Sequence, residues 1–169
     1  TASMKDLVES LLFLARHDKK TLLMEMEQFD PCEVGSEVHR EAAMVSPDYT
    51  FQLCPLEHCR IEADKGMVKQ VMRILCDNAV KYTPKGGTIT LASHKDGDHI
   101  AFRVKDNGVG ILPEDAPHIF DRFYKADKAH TVGKGTGLVL AICRRIMEKH
   151  GQQIRLVSGE CGADFEITL

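Results

Sequence analysis

Three short runs carry the residue types that handle a phosphorylated ligand: Asp77-Asn78-Ala79-Val80-Lys81-Tyr82, Asp106-Asn107-Gly108-Val109-Gly110 and Gly133-Lys134-Gly135-Thr136-Gly137-Leu138. Ile74, Asn78 and Lys81 recur at i, i+4 and i+7, which a helix brings onto one face. An amide oxygen and an ammonium on one stripe suit a metal-bound phosphate: the oxygen ligates Mg2+ and the ammonium pairs with phosphate oxygens. Asp106 ends an apolar stretch and enters a glycine turn. Its carboxylate only accepts hydrogen bonds, so it suits an exocyclic amine such as adenine N6 and repels the carbonyl of guanine. Gly108 and Gly110 let the backbone approach a flat ring. Gly135-Thr136-Gly137 opens a helix whose unpaired N–H groups and dipole favour an anion. Each run also has a plainer reading, as a polar helix residue, a tight turn or a loop. Neither the P-loop pattern nor G-x-G-x-x-G after an early strand is present.

The elements that must position these residues are legible in the hydrophobic periodicity. Met4 to His17 reads as an amphipathic helix with more apolar surface than a terminal segment hides alone, so it looks like the end of something longer that packs on a partner helix. Leu22 to Phe29 alternates as a strand. Asp30 caps a helix with Pro31 at its first position, running to about Val45. Tyr49–Leu53 and Cys59–Glu62 are short strands, and Asp64 caps a long helix from Lys65 to about Tyr82 with Val68, Val71, Met72, Leu75 and Ala79 inward. Thr88–His94 and Ile100–Lys105 flank Asp96-Gly97-Asp98 as a hairpin. After the glycine turn come a short helical piece near Ala116–Phe120, a polar stretch Asp121–Gly135 expected to be a mobile lid, a helix from about Gly137 to His150 capped by Gly151, and a closing hairpin, Gln153–Val157 with Ala163–Leu169. This order predicts an α+β class: a two-layer α/β sandwich whose mixed, mostly antiparallel sheet is covered by helices on one face.

Composition bounds the function. The 169 residues, 43% hydrophobic and 28% charged, fit one globular domain. A net charge of −3 argues against nucleic acid as a partner. No apolar run reaches the roughly 20 residues that span a bilayer, so direct membrane insertion is not expected. The six cysteines read mainly as small buried hydrophobes in a reducing compartment. Cys54, His58 and Cys59 could be imagined as a metal cluster, but C-x4-C is a poor zinc spacing with no second pair.

Taken together, the runs resemble the sequence boxes of two-component sensor histidine kinases. RILCDNAVKYTPKGG is similar to their N box, DNGVG to their G1 box, IFDRFYKAD to their F box, and GKGTGLVLAICRRIMEKHG to their G2 box and following helix. LVESLLFLARHD resembles the end of the second helix of their dimerisation and phosphotransfer domain, which divides the chain into residues 1–20 and a catalytic ATP-binding domain, 21–169. The resemblance implies a Bergerat-type ATP-binding fold and use of ATP with Mg2+. It implies that Asn78 ligates Mg2+, that Lys81 meets the phosphates, and that Tyr82 and Phe120 line the nucleotide pocket. It further implies that Asp106 binds adenine, that Gly108 and Gly110 shape its turn, and that Arg122 and Lys125 approach the terminal phosphates. Gly135, Thr136, Gly137 and Leu138 would close on the triphosphate. For Arg122 and Lys125, an ordinary solvated surface is the rival reading. The sequence departs from the family at Ile74, usually Asn, and at Val139, usually the third G2 glycine. None of the eight histidines has the setting of the phosphoacceptor, which the family carries on another helix. The implied partners are ATP or ADP, a dimerisation and phosphotransfer domain of the same homodimeric parent, and a response regulator. The implied location is the cytoplasm, below a membrane-anchored sensor. Two alternatives stay open: a nucleotide-gated interaction module, which Ile74 and Val139 favour, and an anti-sigma-factor-type serine kinase, which the FDRFY run disfavours.

Overall fold

The computed structural model describes residues 2–18, 24–124 and 137–169. The elements are α1 (Ala2–Asp18), β1 (Met26–Phe29), α2 (Pro31–Val45), β2 (Thr50–Leu53), β3 (Ile61–Asp64), α3 (Lys65–Lys81), β4 (Thr88–Asp96), β5 (His99–Asp106), a 3-10 turn (Ala116–His118), α4 (Val139–Lys149), β6 (Ile154–Ser158) and β7 (Asp164–Thr168). Five strands form one mixed sheet in the order β2-β4-β5-β7-β6, with only β2 and β4 parallel. β1 and β3 pair antiparallel as a separate ribbon. The sequence reading did not separate the two sheets, because periodicity reports which face of a strand is apolar but not its pairing partner. The strand expected from Leu22 begins at Met26; Leu22 itself lies outside the described residues.

Alternation divides the sheet into two faces. Ile89, Leu91, Phe102, Val104, Phe165 and Ile167 point into the core, where they meet Val68, Val71, Met72 and Leu75 of α3 and Ile142, Ile146 and Met147 of α4. On the other face Glu166, 3% exposed, accepts from Arg103 Nε at 3.1 Å and Arg155 Nη2 at 2.8 Å. Burial of that carboxylate is offset by two guanidinium partners.

Caps locate the helices that carry the site. Asp30 Oδ1 accepts from the Cys32 N–H at 2.9 Å to start α2, and Asp64 Oδ1 accepts from the Met67 N–H at 3.1 Å to start α3. Asp64 is also tied to the end of α4: its N–H donates to His150 Nε2 at 3.0 Å, which leaves Nδ1 to donate to the Ile146 carbonyl at 2.8 Å. The end of α3 is pinned by Tyr49, whose hydroxyl lies 2.8 Å from the Thr83 carbonyl and 3.2 Å from that of Val80. Carbonyls at a helix end thus gain a donor from the residue just before β2. α1 packs against α4, with Leu14 fully buried. Met4, Val8, Leu11 and Leu12 stay 41–67% exposed.

Candidate nucleotide-binding site

The glycine turn after β5 is seated on the end of α3. A Cβ at Gly108 would lie 2.0 Å from the Tyr82 carbonyl oxygen, so only glycine allows this approach. The Val109 N–H donates to that same carbonyl at 3.0 Å. Asn107 closes the turn from the other side, its Oδ1 accepting from the Thr88 N–H at 2.9 Å. This backbone-to-backbone clamp joins the Asp106–Gly110 turn to Tyr82, the residue that follows Lys81 at the end of α3.

A second clamp comes from the β6–β7 turn, which the sequence reading did not include. The Ile111 N–H donates to the Gly159 carbonyl at 2.9 Å, and a Cβ on Gly110 would meet that oxygen at 2.3 Å. Gly162, at φ +84°, comes so close that a Cβ would lie 2.0 Å from the Asp106 carbonyl oxygen. The signal was present as two glycines in Ser158-Gly159-Glu160-Cys161-Gly162, but nothing local says that a hairpin turn faces a distant loop.

Between these clamps lies Asp106, 3% exposed. Its Oδ1 accepts from the Gly108 N–H at 2.9 Å and the Ala163 N–H at 3.1 Å. Burial pushes its pKa above the usual carboxylate value, and the two backbone donors pull it back. Beside it Thr83, also buried, has a side-chain oxygen with no hydrogen-bond partner in good geometry among the described residues. The Thr83 hydroxyl is close enough to Asp106 to help pull its pKa back down, so a carboxylate and a hydroxyl lie side by side in a buried spot that suits a polar ligand. Thr83 was not singled out from the sequence.

The other end of the site is built differently. Asn78 is buried and Lys81 half-buried near the C-terminal end of α3. Ile74, one turn earlier, packs against the core. α4 starts at Val139, and its cap position is Leu138, which offers no side-chain acceptor. First-turn N–H groups there, with the positive end of the dipole, suit an anion. Gly137, at φ +73°, accepts from the Phe123 N–H at 2.9 Å, joining the two ends of the segment between them. Phe120 packs edge-on against Phe165 at 6.0 Å, so its described contact is with the core. Arg122 is exposed. Lys125, Gly135 and Thr136, with most of the expected lid, lie outside the described residues.

Residues 63–169 match the family described as histidine kinase-, DNA gyrase B- and HSP90-like ATPases. The chain belongs to that family. This ATPase domain is 35% identical to the sensor protein SrrB of Staphylococcus aureus over 90% of its own length and 27% of SrrB, and 31% identical to the sensor protein KdpD of Clostridium acetobutylicum over 96% of its length and 18% of KdpD. It thus spans about a fifth to a third of the curated relatives it matches. Its fold superposes with a TM-score of 0.77 on histidine kinase ThkA in complex with response regulator TrrA, at 26% identity, covering 99% of this chain and 47% of that one. The α+β architecture expected from element order is the architecture of histidine kinase ATP-binding domains. These likenesses do not favour the interaction-module alternative. No helix among the described residues is long and apolar enough to cross a membrane.

The cysteines divide. Cys76 and Cys143 are buried, and desolvation pushes the Cys76 thiol up to about 12. Cys54 and Cys161 are exposed and Cys32 and Cys59 half-buried, so the reading as buried hydrophobes holds for only two.

Proposed function

We propose that this ATPase domain binds ATP with Mg2+ and, in its parent, delivers the γ-phosphoryl group to a histidine for relay to a response-regulator aspartate. The observation that carries the nucleotide reading is the buried Asp106, held by the Gly108 and Ala163 N–H groups with the Thr83 hydroxyl beside it. Asp106 would accept from the adenine amine while Thr83 offers a hydroxyl to the same ring edge. Its two backbone donors hold the carboxylate in place before a ligand arrives, so little ordering is required on binding.

At the phosphate end, Asn78 and Lys81 supply the donor set a metal-bound phosphate asks for, a neutral oxygen and an ammonium. Mg2+ held by Asn78 would supply charge neutralisation on the phosphates. Lys81 pairs with phosphate oxygens, and the first turn of α4 after Gly137 and Leu138 presents N–H groups to the anion. Tyr82 lines the ring, Gly108 and Gly110 hold the turn, and Arg122, Lys125, Gly135 and Thr136 complete the approach to the terminal phosphate. Phe120 contributes by holding its run against the sheet.

The histidine acceptor and the second subunit belong to a dimerisation domain of the parent, whose last helix α1 represents. The exposed apolar side of α1 supports that reading, as does the likeness to a kinase bound to a response regulator. The sensor names of the relatives support a membrane-anchored parent with this domain in the cytoplasm. Calorimetry with ADP and GDP tests the core of the proposal. ADP should bind at least 10-fold tighter than GDP, and equal affinities would remove Asp106 from the site.

A further inference from the structure

Outside the nucleotide site, the start of α2 and the connection from β2 to β3 bring together three side chains of different chemistry. One donor atom each of Asp30, Cys32 and His58 lies within 4.8 Å of the other two. We propose that they form a binding site for a zinc-class divalent cation, with Cys32 Sγ and His58 Nε2 as direct ligands and Asp30 as the carboxylate that orients the imidazole.

The geometry supports each role. Cys32 Sγ and His58 Nε2 are 3.8 Å apart. Bonds of about 2.0 Å to nitrogen and 2.3 Å to sulfur place two ligands of a tetrahedral ion roughly 3.5 Å apart, so an ion fits between them with little movement. The other ring nitrogen, Nδ1, is 2.6 Å from Asp30 Oδ2. A carboxylate on the far nitrogen of a ligating histidine fixes its orientation and raises its basicity. Asp30 is itself held, since its Oδ1 caps α2 through the Cys32 N–H at 2.9 Å. Cys32 is thereby held at the helix start, where its thiol also lies 3.9 Å from the Leu56 carbonyl.

His58 is 76% exposed, so the remaining coordination positions open to water. A second thiol, that of half-buried Cys59, follows His58 directly in the chain. Sulfur, nitrogen and oxygen donors in one cluster select zinc-class ions over magnesium or calcium, which prefer all-oxygen shells. Binding involves no redox change: the Cys32 proton leaves to solvent as the sulfur–metal bond forms. The cluster was discounted in sequence as Cys54, His58 and Cys59. Its true members are 26 and 28 residues apart, and only the fold joins them.

The test is titration of the reduced chain with Co2+ and then Zn2+. One Co2+ per chain should bind with a thiolate-to-cobalt charge-transfer band in the near ultraviolet, and Zn2+ should displace it. Cys32→Ser should abolish the band. His58→Ala, at an exposed position that leaves the fold intact, should weaken binding at least 10-fold. Asp30→Asn, which keeps the capping oxygen, should weaken it about 10-fold, the usual loss when an orienting partner is removed. Absence of the band in the unaltered chain would overturn the proposal. So would a band that survives Cys32→Ser, or Co2+ affinity unchanged in His58→Ala.

Discussion

The two ends of the nucleotide site are made by different means. At the adenine end, Gly108, Gly110 and Gly162 bring three loops into backbone contact, and Asp106 is held by two N–H donors. At the proposed phosphate end, the described parts are side chains on α3, a helix start whose cap residue Leu138 has no side-chain acceptor, and the hydrogen bond from the Phe123 N–H to the Gly137 carbonyl. The lesson is one of division of labour. In the proposed site, ring recognition would rest on backbone clamped in the core of the sheet, and phosphate handling on the ends of α3 and α4.

The largest expected effect breaks the rigid end. Gly108→Ala places a methyl 2.0 Å from the Tyr82 carbonyl oxygen, and because that neighbour is backbone the loop must move. Overpacking of this kind costs about 1–3 kcal/mol, and it should also displace Asp106. Urea unfolding should show the lost stability, and calorimetry the loss of ADP binding. Gly86→Ala is the control, since a Cβ there meets nothing within 4 Å and only its φ of +88° resists the change.

Asp106→Asn separates recognition from stability. Asparagine keeps an oxygen for the Gly108 and Ala163 N–H groups but turns a donor toward the adenine amine. Loss of a charge-assisted hydrogen bond costs on the order of 1.5–3 kcal/mol, so ADP should weaken roughly 10-fold or more. Stability should hold or rise near neutral pH. The sign follows from burial, which raises the folded-state pKa of Asp106 above 3.8. A raised carboxylate pKa makes the ionised form costly: the folded state loses stability as pH climbs from the unfolded pKa through the folded one, and carries the full cost above it. Asparagine removes that cost. ADP affinity should follow the opposite course, falling as pH drops through the raised pKa and the acceptor is protonated. Affinity measured across acidic pH should show this loss in the unaltered chain and a flat profile in Asp106→Asn.

How much was legible in the sequence follows the same division. The runs around Asn78, Asp106 and Gly137 were readable because each is a local pattern, and the caps Asp30 and Asp64 were readable because capping acts within one turn. Thr83, Tyr49, Gly159 and Gly162 were missed because their roles exist only across long separations: Tyr49 reaches Thr83, and Gly162 reaches Asp106. The β1–β3 ribbon was missed for the same reason.

Ile74 sharpens the phosphate end. It packs against the core where the family usually has asparagine, so it should serve packing and not metal. Ile74→Asn should lower stability by about 1–3 kcal/mol, the cost of a polar group without a partner, and leave the Mg2+ dependence of ATP affinity unchanged. A metal-dependent gain in affinity would instead move this position into the site.

The smallest effect is expected at Phe123, where the phosphate end carries its own strain. Phe123 has φ 65° and is 58% exposed, the one described non-glycine residue in the left-handed region. Holding an L-residue there costs about 1–2 kcal/mol, and glycine removes that cost. Glycine also adds about 0.5–1 kcal/mol of unfolded-state entropy, so the two nearly offset. Phe123→Gly should therefore gain no more than about 1 kcal/mol in urea unfolding, against the loss expected for Gly108→Ala. Its effect on ligands should be one-sided. The Phe123 N–H holds the Gly137 carbonyl at the entry to α4. A freer backbone there should weaken ATP by a few-fold and leave ADP within twofold, as the proposed placing of the terminal phosphate at the α4 start requires. Equal weakening of both would tie the two ends into one rigid unit and erase the distinction between them.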